Sequence, residues 1–142
     1  MMLEIYNNYC VDNNNGPAVA RFLTIYIEEA HAKDEWWLPE SPGAHEGGKA
    51  CIMNHRSMAE RIAAAHKFSA DHALPRGFEI VCDSFDEHVN DRYGAWPERL
   101  YVVLDGVVVY KGGMGPFDYK LAEVQDWLVQ RYGLRGDAIT RR

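Results

Sequence analysis

The chain of 142 residues contains only three cysteines, at positions 10, 51 and 82. Their odd number and wide spacing exclude the disulfide framework of small secreted domains, so a reducing, cytoplasmic location is the default expectation. No C-x-x-C pair occurs, which excludes the commonest thiol redox motif. Cys10, in a predicted helix, and Cys82, in a predicted strand, are therefore expected to be small core residues.

Positive charge and long apolar runs are also scarce. Lys and Arg number 15 against 21 Asp and Glu, a formal net charge of −6, and no basic cluster interrupts this balance. Nucleic acid is therefore excluded as an expected partner. No apolar stretch approaches the ~20 residues of a membrane helix, and the first residues do not resemble a signal peptide. The length favours a single domain over residues 1–142, large enough to bury a core.

The apolar pattern predicts an alternating order of helices and strands. The apolar run at 21–28 is typical of a strand covered on both faces in a parallel sheet. The Asp105-Gly106 pair between two β-rich runs is a strong hairpin signal. The remaining predicted elements are helices from residue 1 to about 13, from Ser57 onward, over 86–93 and after Asp118, and a strand at 78–83. This order predicts an α/β fold with a mixed sheet, and a hairpin followed by a helix is how thioredoxin folds close.

Capping signals mark where two of these helices begin. Ser57 and Glu60 form a capping box, which leaves His55 in the preceding loop rather than on the helix. Asp118 is predicted to cap the last helix. The predicted apolar stripe of the helix after Ser57 consists of Met58, Ile62 and Ala65.

The stretch "FLTIYIEEAH" at 22–31 combines a buried strand with two acids and a histidine at its end. Carboxylate and imidazole at the carboxyl end of a strand are suited to proton transfer, because strand ends line the ligand crevice of such sheets. Neighbouring strand residues alternate in direction, so Glu28 is expected to point away from Glu29. By itself the stretch is more typical of a strand end that meets water than of an active site.

Other motifs support weaker hypotheses. Cys51, His55 and the nearby His45 suggest zinc, but a closed site needs four ligands and no second short-spaced pair appears. We therefore expect no metal, and Cys51 is either a resolving thiol or an incidental one. The loop "KGGMGP" lacks the phosphate-loop pattern, so we expect no bound nucleotide. The tryptophans are expected to be core or interface anchors (Trp36, Trp37, Trp96 and Trp127).

Three stretches together resemble the iodothyronine deiodinase family of thioredoxin-fold selenoenzymes: "FLTIYIEEAHAKDEW", "NHRSMAERIAAAH" and "PERLYVVLDGVVVYKGGMGPFDY". The likeness extends from about residue 3 to residue 132. It implies reductive removal of iodine from thyroid hormones, with a thiol reductant as co-substrate and no bound cofactor. It also implies proton-relay roles for Glu29 and His55, contact of His31 with the iodinated ring or its phenol, and a soft contact of Met114 with the substrate.

The resemblance also implies a selenocysteine or cysteine nucleophile that this sequence does not contain. Its central strand is expected upstream of Met1, so residues 1–142 would form an incomplete thioredoxin-like domain. Automatic translation of the DNA that reads a selenocysteine codon as a stop would restart the sequence at the next methionine, where Met1 or Met2 stands. Animal members of the family carry a membrane anchor and tend to dimerise, so the resemblance allows a homodimer, although this sequence contains no sign of either feature. Pro97 lies about one residue from the register of the cis-proline of thioredoxin folds, which argues against a cis bond.

Two other interpretations remain open from the sequence. One is a more general thiol oxidoreductase of the peroxiredoxin or thioredoxin type. The other is a non-catalytic, truncated thioredoxin-type module that binds a ligand or partner through the same cleft.

Overall fold

The computed structural model describes residues 1–36 and 52–136. Its elements, in chain order, are α1 (Met2–Tyr9), β1 (Leu23–Tyr26), α2 (Met58–Asp71), β2 (Glu79–Cys82), α3 (His88–Tyr93), β3 (Tyr101–Leu104), β4 (Val107–Lys111) and α4 (Leu121–Tyr132). This confirms the predicted α/β order, with small sheets and flanking helices as in a thioredoxin-like fold. None of the described helices is long and apolar enough to cross a membrane.

The chain divides into two compact units. Unit 1 comprises Met1–Phe22 and Glu98–Arg142, and unit 2 comprises Leu23–Pro97. Each unit has its own two-stranded sheet: β3 pairs with β4 in unit 1, and β1 pairs with β2 in unit 2. The assignment of residues 1–142 to one domain stays a prediction.

Unit 1 is built on the hairpin and two helices. Asp105 and Gly106 both have positive φ angles, 51° and 79°, as the tight turn between β3 and β4 requires. The buried core joins α1 to α4 through Ile5, Tyr9, Val124 and Leu128. The predicted cap of α4 is wrong: the helix begins after Lys120, without a side-chain cap. Asp118 lies two residues too early to cap it, and its carboxylate instead faces Lys120 Nζ at 3.5 Å.

Unit 2 contains a parallel strand pair, in line with the prediction that the run at 21–28 belongs to a parallel sheet. β1 and β2 run in register from Leu23 opposite Glu79 to Tyr26 opposite Cys82. The strands are shorter than expected, and Leu23 is half exposed rather than covered. Among the described residues, the second edge of β1 has no strand partner. The central nucleophile strand therefore stays a prediction.

Helix α2 packs against β2 and begins as its capping box indicates. Ser57 Oγ accepts from the Glu60 amide at 3.3 Å. In a capping box the Glu60 carboxylate would accept a hydrogen bond from the Ser57 amide. Here it accepts instead from the amide of the preceding residue, Arg56, at 2.6 Å. The predicted apolar stripe is wrong at Ile62, which is 43% exposed, whereas Arg61 is buried. Arg61 turns inward because carbonyl and carboxylate oxygens accept its hydrogen bonds there.

A buried polar network closes the carboxyl end of β2. Asp83 is 1% exposed and accepts the backbone N–H groups of Ser84, Val89 and Asn90 at 2.8–2.9 Å. Arg61 donates to the carbonyls of Asp83 and Ser84 and to the Glu87 carboxylate. These bonds satisfy most of the polar groups that burial would otherwise penalise. They fix the conformation of residues 83–90, the turn that leads from β2 into the start of α3.

We expect Asp83→Ala to lower the free energy of unfolding by about 2–4 kcal/mol, because three buried N–H donors lose their acceptor. Burial acts to raise the pKa of Asp83, but the backbone hydrogen bonds and Arg61 outweigh it and lower that pKa. The carboxylate therefore stabilises the fold fully above the ordinary aspartate pKa of about 3.9, and this contribution is lost as the pH falls through the lower folded-state pKa.

Chemical denaturation of this chain between pH 7 and pH 3 measures both effects. In Asp83→Asn, the free energy of unfolding should depend less on pH at acidic pH than in the parent chain. The exposed control Asp86→Asn should change the free energy of unfolding by less than about 0.5 kcal/mol. Equal stability of Asp83→Ala and the parent chain would contradict the role given to this carboxylate.

Candidate active site

The carboxyl end of β1 brings together two of the predicted site residues. Glu29 Oε1 lies 3.8 Å from His55 Nε2. The same oxygen accepts a hydrogen bond from the Tyr26 hydroxyl, and the Tyr26 and His55 rings lie 5.8 Å apart, centroid to centroid. Tyr26 occupies the last position of β1, three residues before Glu29, which lets its hydroxyl reach the carboxylate. Tyr26, Glu29 and His55 are hereafter called the site triad.

His55 is the most enclosed member of the site triad. Its side chain is 2% exposed, and neither ring nitrogen has a hydrogen-bond partner among the described residues. The distance of 3.8 Å to Glu29 is too long for a hydrogen bond, although a small movement would form one. A cavity of about 360 Å³ between the loop 52–55 and α2 is lined partly by His55.

The environment of the site triad determines its protonation. Burial lowers the pKa of His55, with Arg61 acting in the same direction, while the carboxylates of Glu29, Glu60 and Glu87 partly offset the effect. The imidazole is therefore neutral at pH 7 and can carry a proton on either nitrogen. Burial and the bond to Glu29 raise the pKa of Tyr26, so its hydroxyl remains a proton donor.

Glu28 takes the opposite direction from Glu29, as expected. Its Oε1 accepts from the Asn90 amide at 3.3 Å rather than from any member of the site triad. Burial, followed by the nearby Glu87, raises the pKa of Glu28. The two adjacent acids thus lie in separate environments.

The described contacts of His31 are with Trp36, not with the site triad. His31 Nδ1 lies 3.2 Å from the Trp36 carbonyl oxygen, and the two rings meet edge to face at 4.9 Å. Trp36 is 58% exposed and stacks on Trp96, so it is not a core residue, and its expected place in an interface stays a prediction. Trp37 lies outside the described residues.

Met114 belongs to unit 1, where it lies in a closely packed glycine loop and is 49% exposed. Gly113 and Gly115 are needed here for close approach, because a Cβ at either position would overlap Asp118 or Glu98. The Gly115 amide donates to the Glu98 carbonyl and the Asp118 amide to the Met114 carbonyl, at 2.9 and 3.1 Å. The loop therefore presents Met114 outward.

The remaining sequence hypotheses have mixed outcomes. The Trp96–Pro97 bond is cis, so the expectation against a cis bond there is wrong. Cys10 packs against the core of unit 1, where burial raises its pKa to about 11, and burial also raises the pKa of Cys82. Neither thiol therefore has the character of an activated nucleophile. His45 and Cys51 lie outside the described residues.

No group of three His, Cys, Asp or Glu residues in the described ranges 1–36 and 52–136 could hold a metal ion. Tyr26 is the member of the site triad that sequence reasoning missed. Its signal was the spacing of Tyr26 and Glu29 across a strand end, but a tyrosine in an apolar strand is most often a core residue.

The order of helices and strands is that of a thioredoxin-like α/β protein, in which Glu29, just after β1, faces the buried His55 of the loop before α2. The model of the family named "Iodothyronine deiodinase" matches residues 11–132. The chain belongs to the iodothyronine deiodinase family.

Known relatives agree with this assignment. The chain is 38% identical over 121 residues to the type II iodothyronine deiodinase of Aquarana catesbeiana, covering 85% of this chain and 44% of the relative. It is 42% identical over 117 residues to the thyroxine 5-deiodinase of Sparus aurata, covering 82% and 40% of the two chains. The type II enzyme of Neoceratodus forsteri is 41% identical over 117 residues, covering 82% and 42%. The chain thus spans about two fifths of the length of these relatives.

We expect Glu29→Gln to lower the pKa of His55 further, because the carboxylate is the nearest charge that stabilises the imidazolium. NMR titration of the His55 ring in this chain measures the shift. Glu79→Gln, at the opposite end of the parallel pair, is the matched control and should leave the titration unchanged. An unaltered His55 titration in Glu29→Gln would show that the two side chains do not interact.

Proposed function

We propose that this chain is part of a reductive deiodinase that acts on an iodinated aromatic substrate of the thyroxine type. The observation that carries the proposal is the site triad, in which Glu29 lies between a protonated tyrosine and a buried, neutral imidazole. Membership of the deiodinase family and the names of the relatives support the same reaction class.

The proposed chemistry needs a soft nucleophile and a proton. A selenolate or thiolate, expected on a residue upstream of Met1, forms a bond to iodine while the carbon–iodine electron pair remains on the ring carbon, which then takes a proton. Two equivalents of a thiol reductant afterwards release iodide and two protons, leave a disulfide and restore the selenolate or thiolate; one of the two protons replaces the proton that the ring carbon took. The net change converts aryl iodide and two thiols into arene, hydrogen iodide and disulfide.

The residues of this chain supply the proton in this scheme. Glu29 accepts a hydrogen bond from Tyr26 and lies within a small movement of His55, so a proton can pass along the site triad. Because burial lowers the pKa of His55, its imidazole is neutral at rest and holds an added proton only transiently, so it passes that proton on readily. His31, partly exposed beside Trp36, is proposed to contact the substrate phenol or its iodinated ring.

A general thiol oxidoreductase of the peroxiredoxin or thioredoxin type is the alternative enzyme. The same acid–base residues would then serve a peroxide or disulfide substrate. A non-catalytic binding module is the third possibility, and it is favoured if no nucleophile codon lies upstream of Met1. The homodimer and the cytoplasmic location remain proposals that this site does not address.

The decisive experiment begins with the DNA upstream of Met1, where an in-frame codon for selenocysteine or cysteine is required. The full-length protein should then release iodide from a labelled iodothyronine in the presence of a thiol reductant. Peroxide turnover without iodide release would overturn the deiodinase assignment in favour of the alternative enzyme.

In that full-length protein, we expect His55→Gln to lower kcat by about a hundredfold, because loss of one general acid–base group has effects of this order. His66→Gln, which changes an exposed histidine on helix α2, should leave kcat unchanged. Equal losses in the two variants would mean that His55 has no special part in proton transfer.

Met114 is proposed to contact an apolar part of the substrate. We expect Met114→Ala to raise KM about threefold to tenfold with little change in kcat, because a lost apolar contact affects ground and transition states alike. Steady-state kinetics of iodide release measure both constants. Val107→Ala, at an exposed position of β4, is the control for loss of apolar surface in the same unit. A fall in kcat at constant KM would contradict a simple contact role.

A further inference from the structure

Asn90 connects the chain segments that surround the carboxyl end of the parallel pair in unit 2. It is 7% exposed, and its side-chain amide makes two bonds in different directions. Nδ2 donates to Glu28 Oε1 at 3.3 Å, and Oδ1 accepts the Trp96 amide at 2.9 Å. Its backbone amide donates to Asp83 at 2.8 Å. Asn90 thus joins the end of β1, the turn after β2 and the segment before Pro97.

The chemistry of these partners allows only one orientation of the amide. If the Asn90 side chain were flipped, its oxygen would face the Glu28 carboxylate and its NH₂ group would face the Trp96 N–H. Both contacts would then be repulsive. The buried turn that Asp83 holds also fixes the backbone of Asn90. The donor aimed at Glu28 is therefore preorganised.

This donor acts on the residue next to Glu29 of the site triad. Glu28 is drawn toward Asn90, and Glu29, the next residue, faces the opposite way toward Tyr26 and His55. Burial and the Glu87 charge disfavour the ionised form of Glu28, and the Asn90 hydrogen bond opposes them. The hydrogen bond from Asn90 therefore stabilises the ionised form of Glu28. It also holds the Glu28 side chain on the side of the chain opposite to Tyr26 and His55.

We propose that Asn90 is a positioning residue of the candidate active site, whose bond to Glu28 orients Glu29 toward Tyr26 and His55. The inference rests on the proposed function for its catalytic consequence, but the orientation itself is a property of this chain alone. Asn90 acts through Glu28 and Glu29 and does not itself contact the substrate.

Exchanging the carboxylate of Glu28 and the amide of Asn90 provides the test. Asn90→Asp places a carboxylate against the Glu28 carboxylate and removes the donor. Glu28→Gln alone keeps an acceptor for Asn90 and serves as the matched control. In the double variant Glu28→Gln/Asn90→Asp, the glutamine amide can donate to the new carboxylate, which restores the bond with its polarity reversed. Asn90→Ser adds no charge and shortens the side chain by one atom, so that its hydroxyl no longer reaches Glu28, and it serves if Asn90→Asp does not fold.

The first measurement is the His55 titration by NMR in this chain, made in each background both with Glu29 retained and with the further substitution Glu29→Gln. In each background, the His55 pKa measured with Glu29 is compared with the His55 pKa measured with Glu29→Gln. The difference between these two pKa values reports how closely Glu29 approaches His55, independently of other charges. We expect this difference in Asn90→Asp and in Asn90→Ser to fall below about half of its value in the parent chain, and to recover in the double variant. The same difference in all backgrounds would overturn the proposal.

The second measurement is iodide release by the full-length protein. We expect Asn90→Asp to lower kcat about tenfold at nearly constant KM, and the double variant to recover most of it, since misplacement of a catalytic group affects the chemical step. A loss that the double variant does not recover would indicate a merely structural residue. Absence of iodide release in the parent protein would overturn the proposed function, while the NMR result would still decide the role of Asn90.

Discussion

One buried carboxylate, Asp83, organises the carboxyl end of the parallel strand pair. It binds three backbone N–H groups of the following turn and so fixes the start of α3. Arg61 clamps the same turn from α2 through two carbonyls and Glu87. Burial makes each of these groups costly to leave unpaired, so the network is formed as a whole. The candidate site depends on it, because Asn90 reaches Glu28 from this turn.

The site triad illustrates how burial adjusts the proton affinity of neighbouring side chains in opposite directions. Burial lowers the pKa of His55 and raises that of Tyr26, while Glu29 lies between them. A neutral imidazole and a protonated phenol on the two sides of one carboxylate are the groups that the proposed proton relay requires. The 3.8 Å separation of Glu29 and His55 is longer than a hydrogen bond, so the two side chains are adjacent without being bonded to each other.

Local sequence signals predicted the elements well where the physical cause is local. The Asp105-Gly106 turn needs two positive φ angles, and the Ser57 cap needs one hydroxyl beside a free amide; both are confirmed. The failures have a different origin. Ile62 is exposed because Arg61 finds oxygen acceptors 22 and more residues along the chain, and Asp118 is too far from the first turn of α4 to cap it. Periodicity counts apolar residues and takes no account of such distant polar partners.

The sequence by itself determined the order of helices and strands, the family and the position of Glu29 and His55 in the chain, whereas the pairing of β1 with β2 came from the structure. The sequence also indicated that Glu28 and Glu29 diverge, because alternation along a strand is a local property. Only the tertiary structure decided that His55 meets Glu29, that Tyr26 joins them, that His31 turns to Trp36 and that Asn90 holds Glu28. These contacts join segments that packing brings together, and their distances follow from burial and hydrogen bonding rather than from local conformational preference.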